Sequence, residues 1–132
     1  MAYAEWNDGL SIGIQNIDNQ HKRLIEILNE LYEANDSPDR ELAAAACLRS
    51  MVNYAKEHFK DEEEYMEFIN YPDLEHQKEE HKIFIAKIAD YETAQTILSY
   101  TPFQDMLDFL KDWVINHIKG KDQEIGNFLR NG

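Results

Sequence analysis

The 132-residue sequence has little of several things that would indicate other classes of protein. It has one cysteine, Cys47, so no internal disulfide can form, and this favours a reducing compartment such as the cytoplasm. Basic residues are few, with 13 Lys and Arg against 26 Asp and Glu, and the net charge of −13 repels nucleic acid and anionic membrane surfaces. No apolar run approaches the ~18 residues that cross a bilayer, and no signal segment is evident. We therefore expect a cytoplasmic protein with no nucleic-acid or membrane partner.

Glycine and proline are also scarce, with five and three residues, while 43% of the chain is hydrophobic, enough for one well-packed domain over residues 1–132. Apolar residues recur at spacings of three and four, which is typical of one helix face. The predicted inward face of the first helix consists of Ile17, His21, Leu24, Leu28 and Leu31, and that of the second consists of Leu48, Met51, Ala55, His58, Glu62, Tyr65 and Ile69. We predict helices over about residues 17–36, 39–69, 72–96 and 102–119, preceded by an extended N-terminal arm with a turn at Asp8-Gly9. Lys119-Gly120-Lys121 would end the fourth helix and leave a short C-terminal tail. The pattern indicates an all-α, up-down-up-down antiparallel four-helix bundle.

A few polar side chains interrupt these apolar faces. They are His21, His58, Glu62, Gln77, His81 and His117. A single histidine on an apolar face is usually a hydrogen-bonded core residue, but here four predicted helices each carry one. At ~1.5 Å rise per residue, all six positions fall at the same end of an antiparallel bundle. A buried cluster of imidazoles with a carboxylate is what a borderline metal ion requires.

The sequence does not have the residue spacing of several other kinds of site, and this narrows the alternatives. A ferritin-like di-iron site needs Glu three residues before His on two helices, but Asp18, Ala55, Lys78 and Val114 occupy the corresponding positions. Structural zinc needs only four ligands. A phosphotransfer domain would present one solvent-facing histidine. An excess of imidazole over carboxylate favours iron at a redox-active, oxygen-handling centre.

At this level of detail the sequence resembles the bacterial hemerythrins over essentially its whole length. The matching strings are Trp6, Gly13, Ile17-Asp18-Asn19-Gln20-His21, His58-Phe59-Lys60-Asp61-Glu62-Glu63, Tyr71-Pro72 with His81, and Trp113-Val114-Ile115-Asn116-His117 with Asp122. Each string is weak alone, but their combined order and spacing are highly specific.

The resemblance implies two non-haem iron ions joined by an oxo or hydroxo group, with O2 as the ligand. It implies that His21 and His58 hold the iron with an open position for O2. His81 and His117 would hold the other iron, while Glu62 and Asp122 bridge the two. The O2 pocket would be lined by Ile25, Phe59, Trp113 and Val114, which would slow autoxidation by keeping water out.

One position departs from the family pattern, which has histidine five residues after the proline of the Tyr-Pro pair. Here that residue is Gln77, and a histidine stands one place earlier, at His76. We expect Gln77, through its amide oxygen, or a water to take the ligand position, because one step along a helix turns His76 ~100° outward. The alternative is a π-bulge near the start of the third helix that swings His76 inward.

We expect a monomeric, non-enzymatic protein that binds O2 reversibly for storage, transport or sensing. The alternative is a di-iron enzyme acting on peroxide or nitric oxide, because Gln77 removes an imidazole and can open a second exchangeable position. A third, weaker option is a metal-storage or interaction domain.

Overall fold

The computed structural model describes residues 3–98 and 103–131, and no residue in these ranges is in a strand. Helix α1 spans Gln15–Ala34, α2 Arg40–Phe68, α3 Leu74–Leu98 and α4 Phe103–His117. A π-helical segment, Ile118–Asp122, continues directly from α4 into a fifth helix, α5, at Gln123–Asn131. The predicted four-helix bundle is confirmed, with helix boundaries that differ from the prediction by up to two residues.

The bundle closes because each helix buries one face against its neighbours. Helix α1 packs against α2, α2 against α3, and α4 against α1. Phe84 of α3 stacks on Trp113 of α4 with ring centroids 4.2 Å apart, which joins the remaining pair. The predicted inward face of α1 is confirmed in full, since its members Ile17, His21, Leu24, Leu28 and Leu31 are all buried.

The prediction for the end of α2 was wrong in its last turn. Tyr65 and Ile69 were expected to continue the inward face, but both are only half-buried, and Met66 is fully buried instead. The helix ends in a Schellman motif: Tyr71 N–H donates to Met66 C=O at 2.8 Å, and Asn70 N–H donates to Glu67 C=O at 3.1 Å. Asn70 has the left-handed φ of 57° that this motif needs. The motif packs Met66 and Tyr71 together and turns the chain towards α3.

The predicted C-terminal tail is instead helical. The chain does not stop at Lys119-Gly120-Lys121, because α5 has a buried face of its own that holds it on the bundle. Ile125 is fully buried in a small second core with Met66 and Tyr71. Phe128 packs on the same core, 5.4 Å from the ring of Tyr71.

The N-terminal arm is fixed at several points between α1 and α5. Its predicted turn is confirmed as a 3-10 turn at Asp8–Leu10. Asp18 of α1 accepts a hydrogen bond from the N–H of Ile12 at 2.9 Å, and Gln123 of α5 donates to the carbonyl of Ser11 at 2.9 Å. Ile12 is buried. The arm therefore connects the beginning of α1 with α5.

No helix among residues 3–98 and 103–131 combines the length and the apolar character that a membrane crossing requires.

Gly126→Ala tests the contact between α5 and the arm. A Cβ added at Gly126 would lie 2.5 Å from the carbonyl oxygen of Ile12, so backbone has to move. We expect the free energy of unfolding, measured by urea denaturation, to fall by about 1–3 kcal/mol. Gly120→Ala is the matched control, since an added Cβ there meets no atom within 4 Å. It should leave stability unchanged or raise it by up to about 1 kcal/mol. Equal effects of the two substitutions would contradict this role of Gly126.

Candidate metal centre

Six side chains that could ligate a metal ion, from five elements, meet in one buried layer near one end of the bundle. They are His21 on α1, His58 and Glu62 on α2, His81 on α3, His117 at the end of α4, and Asp122 at the end of the π segment. Each is at most 6% exposed. Their ligand atoms form two groups, His21, His58, Glu62 and Asp122 in one and Glu62, His81 and His117 in the other, with atoms within 4.8 Å of one another in each.

Glu62 belongs to both groups because its two oxygens face different pairs of histidines. Oε2 lies 3.3 Å from Nε2 of His58 and 3.5 Å from Nε2 of His21. Oε1 lies 3.1 Å from Nε2 of His81 and 3.9 Å from Nε2 of His117. The carboxylate is thus placed between two imidazole pairs, one from α1 and α2 and the other from α3 and α4.

Asp122 repeats this arrangement from the opposite direction. Its Oδ2 lies 2.9 Å from Nε2 of His21, and its Oδ1 lies 3.3 Å from Nε2 of His117. Two carboxylates therefore each direct one oxygen to each pair. A donor set of this kind can hold two ions side by side with both carboxylates shared between them.

The π segment explains how Asp122 reaches the cluster. In a regular α-helix, residues five apart point about 140° away from each other, so Asp122 would face away from His117. The wider i→i+5 turn of a π-helix brings such residues onto one face, and π-bulges are frequent at functional sites. Asp122 is completely buried as a result, while Lys119 and Gly120 remain exposed. The α-helical periodicity of the sequence contains no signal for this change.

The outer nitrogens of three histidines are held by side chains that the sequence reasoning did not single out. Nδ1 of His58 bonds Oε1 of Gln20 at 2.7 Å, Nδ1 of His81 bonds Glu63 at 2.7 Å, and Nδ1 of His117 bonds Glu80 at 3.2 Å. Because these oxygens accept from Nδ1–H, each Nε2 is directed inward and can offer its lone pair to a metal ion once any proton on it is displaced. Gln20, Glu63 and Glu80 are each adjacent in sequence to a residue of the cluster, and that adjacency was the available signal.

Gln77 is fully buried, as its position on the α3 face predicts, whereas His76 lies on the surface. The amide nitrogen of Gln77 donates to the carbonyl of Lys121 at 3.1 Å, and its amide oxygen has no partner. The side chain of His76 is 52% exposed and lies near Asp73 and Lys121. Residues 74–98 form an uninterrupted α-helix, so the π-bulge considered for the start of this helix is not there.

A small internal cavity adjoins His21, His58 and His117, and neither His81 nor Gln77 lines it. Its volume of about 10 Å³ is at the lower limit of the space that holds one water molecule. Of the predicted pocket residues, Phe59, Trp113 and Val114 line it. Ile25 does not: it is buried in the main core, and Leu24 lines the cavity from α1 instead. The reason is rotational, since one step along a helix turns the side chain by about 100°.

Burial and mutual attraction together set the protonation of the metal-free cluster. Burial alone would lower the pKa of His21, but attraction to Asp122 and Glu62, whose oxygens lie 2.9 and 3.5 Å from Nε2, outweighs it and raises the pKa to about 9. The same competition, with Asp122 the strongest attraction, raises the pKa of His117 to about 10. Burial would raise the pKa of Glu62, but attraction to His58, His117 and His21 outweighs it and holds the pKa well below its ordinary value.

Several atoms of the cluster are nevertheless without a hydrogen-bond partner. They are Nδ1 and Nε2 of His21, Oε2 of Glu62, Oε1 of Gln77, Nε2 of His117 and both carboxylate oxygens of Asp122. Buried polar atoms without partners are costly and rare in native proteins, so a group that satisfies them is expected. Imidazole nitrogens, carboxylate oxygens and amide oxygens are all atoms that a transition-metal ion can bind. His21 faces the cluster through Nε2, so its Nδ1 is set aside, and the other atoms fit a metal centre.

This chain is similar to known proteins in a family comparison, in a sequence comparison and in a structure comparison. The profile of the hemerythrin HHE cation binding domain matches residues 12–129. A bacteriohemerythrin of Stenotrophomonas maltophilia is 39% identical over 127 residues, covering 93% of this chain and 79% of the relative. A bacteriohemerythrin of Clostridium acetobutylicum is 34% identical over 123 residues, covering 90% and 95%. A crystal structure of wild-type hemerythrin superposes with a TM-score of 0.88 at 26% identity, covering 96% of this chain and 97% of the other.

The metal-free protein should lose stability in alkaline solution. The folded pKa values of His21 and His117 lie above the ordinary value of 6.5, so their stabilisation is complete below pH 6.5 and is lost as the pH rises through about 9 and 10. Glu62 has a lowered pKa, so its stabilisation is complete above pH 4.5 and is lost on strong acidification.

We expect the urea midpoint of metal-free protein to be highest between about pH 4.5 and 6.5 and lower near about pH 9.5. His76→Ala, which alters only an exposed side chain, should show the same profile. A midpoint that stays constant or rises from pH 6.5 to 9.5 would contradict the charge balance described above.

Proposed function

The chain belongs to the hemerythrin family, and we propose that it binds O2 reversibly at a non-haem di-iron centre inside the bundle. The observation that supports this most strongly is the division of Glu62 and Asp122 between two imidazole pairs. Two shared carboxylates suit two adjacent ions, whereas a single ion would leave one pair of histidines without a ligand role. Imidazole and carboxylate are ligands that iron accepts readily.

In this proposal His21 and His58 hold one iron and His81 and His117 hold the other, with Glu62 and Asp122 bridging them. Gln77 completes the second position with its amide oxygen. The oxygen is free for this role because the amide nitrogen is already bonded to Lys121. Ferrous iron, when bound, supplies the electrons that reversible O2 binding requires.

The cavity beside His21 and His58 is the proposed O2 site. Its walls are apolar beside His21, His58, His117 and Asp122, and they are formed by Leu24, Phe59, Phe84, Trp113 and Val114. Apolar walls keep water and protons away from bound O2. This would slow the oxidation of the centre that ends reversible binding. Within the part of the chain that the structure describes, the proposed ligands are the only acidic or basic side chains that line the cavity, and this favours binding over turnover.

Anaerobic reconstitution followed by O2 titration tests the function. We expect about two irons per chain, uptake of one O2 per chain, and recovery of the starting visible spectrum under vacuum through several cycles. His58→Ala should lose both iron loading and O2 uptake, because it removes a buried side chain that is a proposed iron ligand. His76→Ala should behave as the parent, because it alters an exposed side chain outside the proposed ligand set. Irreversible oxidation in the first cycle, or sustained turnover with peroxide or nitric oxide and a reductant, would count against reversible binding.

Gln77→His tests the ligand position where the chain departs from its family. The imidazole can donate Nδ1–H to the carbonyl of Lys121, as the amide does now, and direct Nε2 to the second metal position. We expect the second ion to bind at least about tenfold more tightly, or about 1.4 kcal/mol, in a competition titration with a chelator. Unchanged affinity for both ions would show that residue 77 is no ligand.

A further inference from the structure

The two imidazole pairs differ in what holds their outer nitrogens. On the His81 and His117 side, both Nδ1 atoms bond carboxylates: Glu63 at 2.7 Å and Glu80 at 3.2 Å. On the other side, His58 bonds the neutral amide of Gln20 at 2.7 Å, and Nδ1 of His21 has no partner. Among the described residues, carboxylates therefore bond both Nδ1 atoms of one pair directly, and none bonds an Nδ1 atom of the other pair.

This difference changes how strongly the imidazoles donate to a metal ion. A carboxylate that accepts from Nδ1–H raises the basicity of the other ring nitrogen, and such charge-assisted bonds are about twice as strong as neutral ones. The amide of Gln20 is neutral and orients His58 without placing a formal charge on its Nδ1; a hydrogen bond from the amide nitrogen to Asp61 at 2.8 Å holds it in place. His81 and His117 should thus be the stronger donors.

The stronger donors are found where the ligand set is weaker. The position formed by His81 and His117 has the amide oxygen of Gln77 in place of a third imidazole, and an amide oxygen is a poorer donor to iron than an imidazole nitrogen. Glu63 and Glu80 lie at 27% and 29% exposure in two surface grooves on either side of α3. They reach the two remaining histidines of that position from opposite sides.

We propose that Glu63 and Glu80 are positioning residues that compensate for Gln77: their charges strengthen metal binding at the position of His81 and His117 and would lower the reduction potential of an iron held there. The inference rests on the proposed two-iron function. It predicts that the two irons of this chain are unequal because of residues outside the ligand set.

The test removes the two charges but keeps the hydrogen bonds. Glu63→Gln/Glu80→Gln leaves an amide oxygen to accept from each Nδ1–H. The matched control, Glu64→Gln/Glu79→Gln, removes the same charge from the neighbouring exposed positions of the same helices. Metal-free proteins are titrated with Co²⁺ and followed by visible absorption, and iron-loaded proteins are titrated electrochemically. Circular dichroism establishes folding, and the single variants Glu63→Gln and Glu80→Gln are used if the double variant does not fold.

We expect the double variant to bind one of its two Co²⁺ ions at least about tenfold more weakly than the control does, and each single variant to show part of this loss. The first oxidation should shift to higher potential by about 59 mV or more, the equivalent of a tenfold change for one electron. Variants that match the control in both measurements would overturn this inference. If the parent itself binds fewer than two Co²⁺ ions, the proposed di-iron function fails first.

Discussion

The structure depends on two carboxylates buried among four imidazoles at the centre of a helical bundle. Moving a carboxylate out of water costs several kcal/mol unless opposite charge and hydrogen bonds replace the water. Glu62 and Asp122 are fully buried, and each divides its oxygens between two pairs of histidines. In the metal-free protein, protons on His21 and His117 balance this charge, and metal ions would have to displace them.

The unusual parts of the fold all serve to bring Asp122 into the layer of the histidines. The π segment turns Asp122 onto the face of His117, and α5 anchors the segment through Ile125 in the second core. Gln77 and the N-terminal arm hold the same region from two sides, through the carbonyl of Lys121 and through Gln123. The end of the chain is therefore part of the site.

Much of this could be predicted from sequence because it depends on α-helical periodicity. The bundle, the shared depth of the four histidines and the outward position of His76 follow from rotations of about 100° and rises of ~1.5 Å per residue. Asp122 was reached only through family resemblance, because a π turn leaves no periodic signal. Leu24 in place of Ile25 at the cavity, and Met66 in place of Tyr65 at the end of α2, depend on side-chain packing within a single turn. The hydrogen bonds of Gln20, Glu63 and Glu80 depend on the same local geometry.

Anomalous diffraction from a crystal loaded anaerobically with ferrous iron tests the central claim most directly. The account predicts two iron peaks in the buried layer, one beside His21 and His58 and one beside His81 and His117, with Glu62 and Asp122 between them. A single peak, or none in this layer, would contradict it.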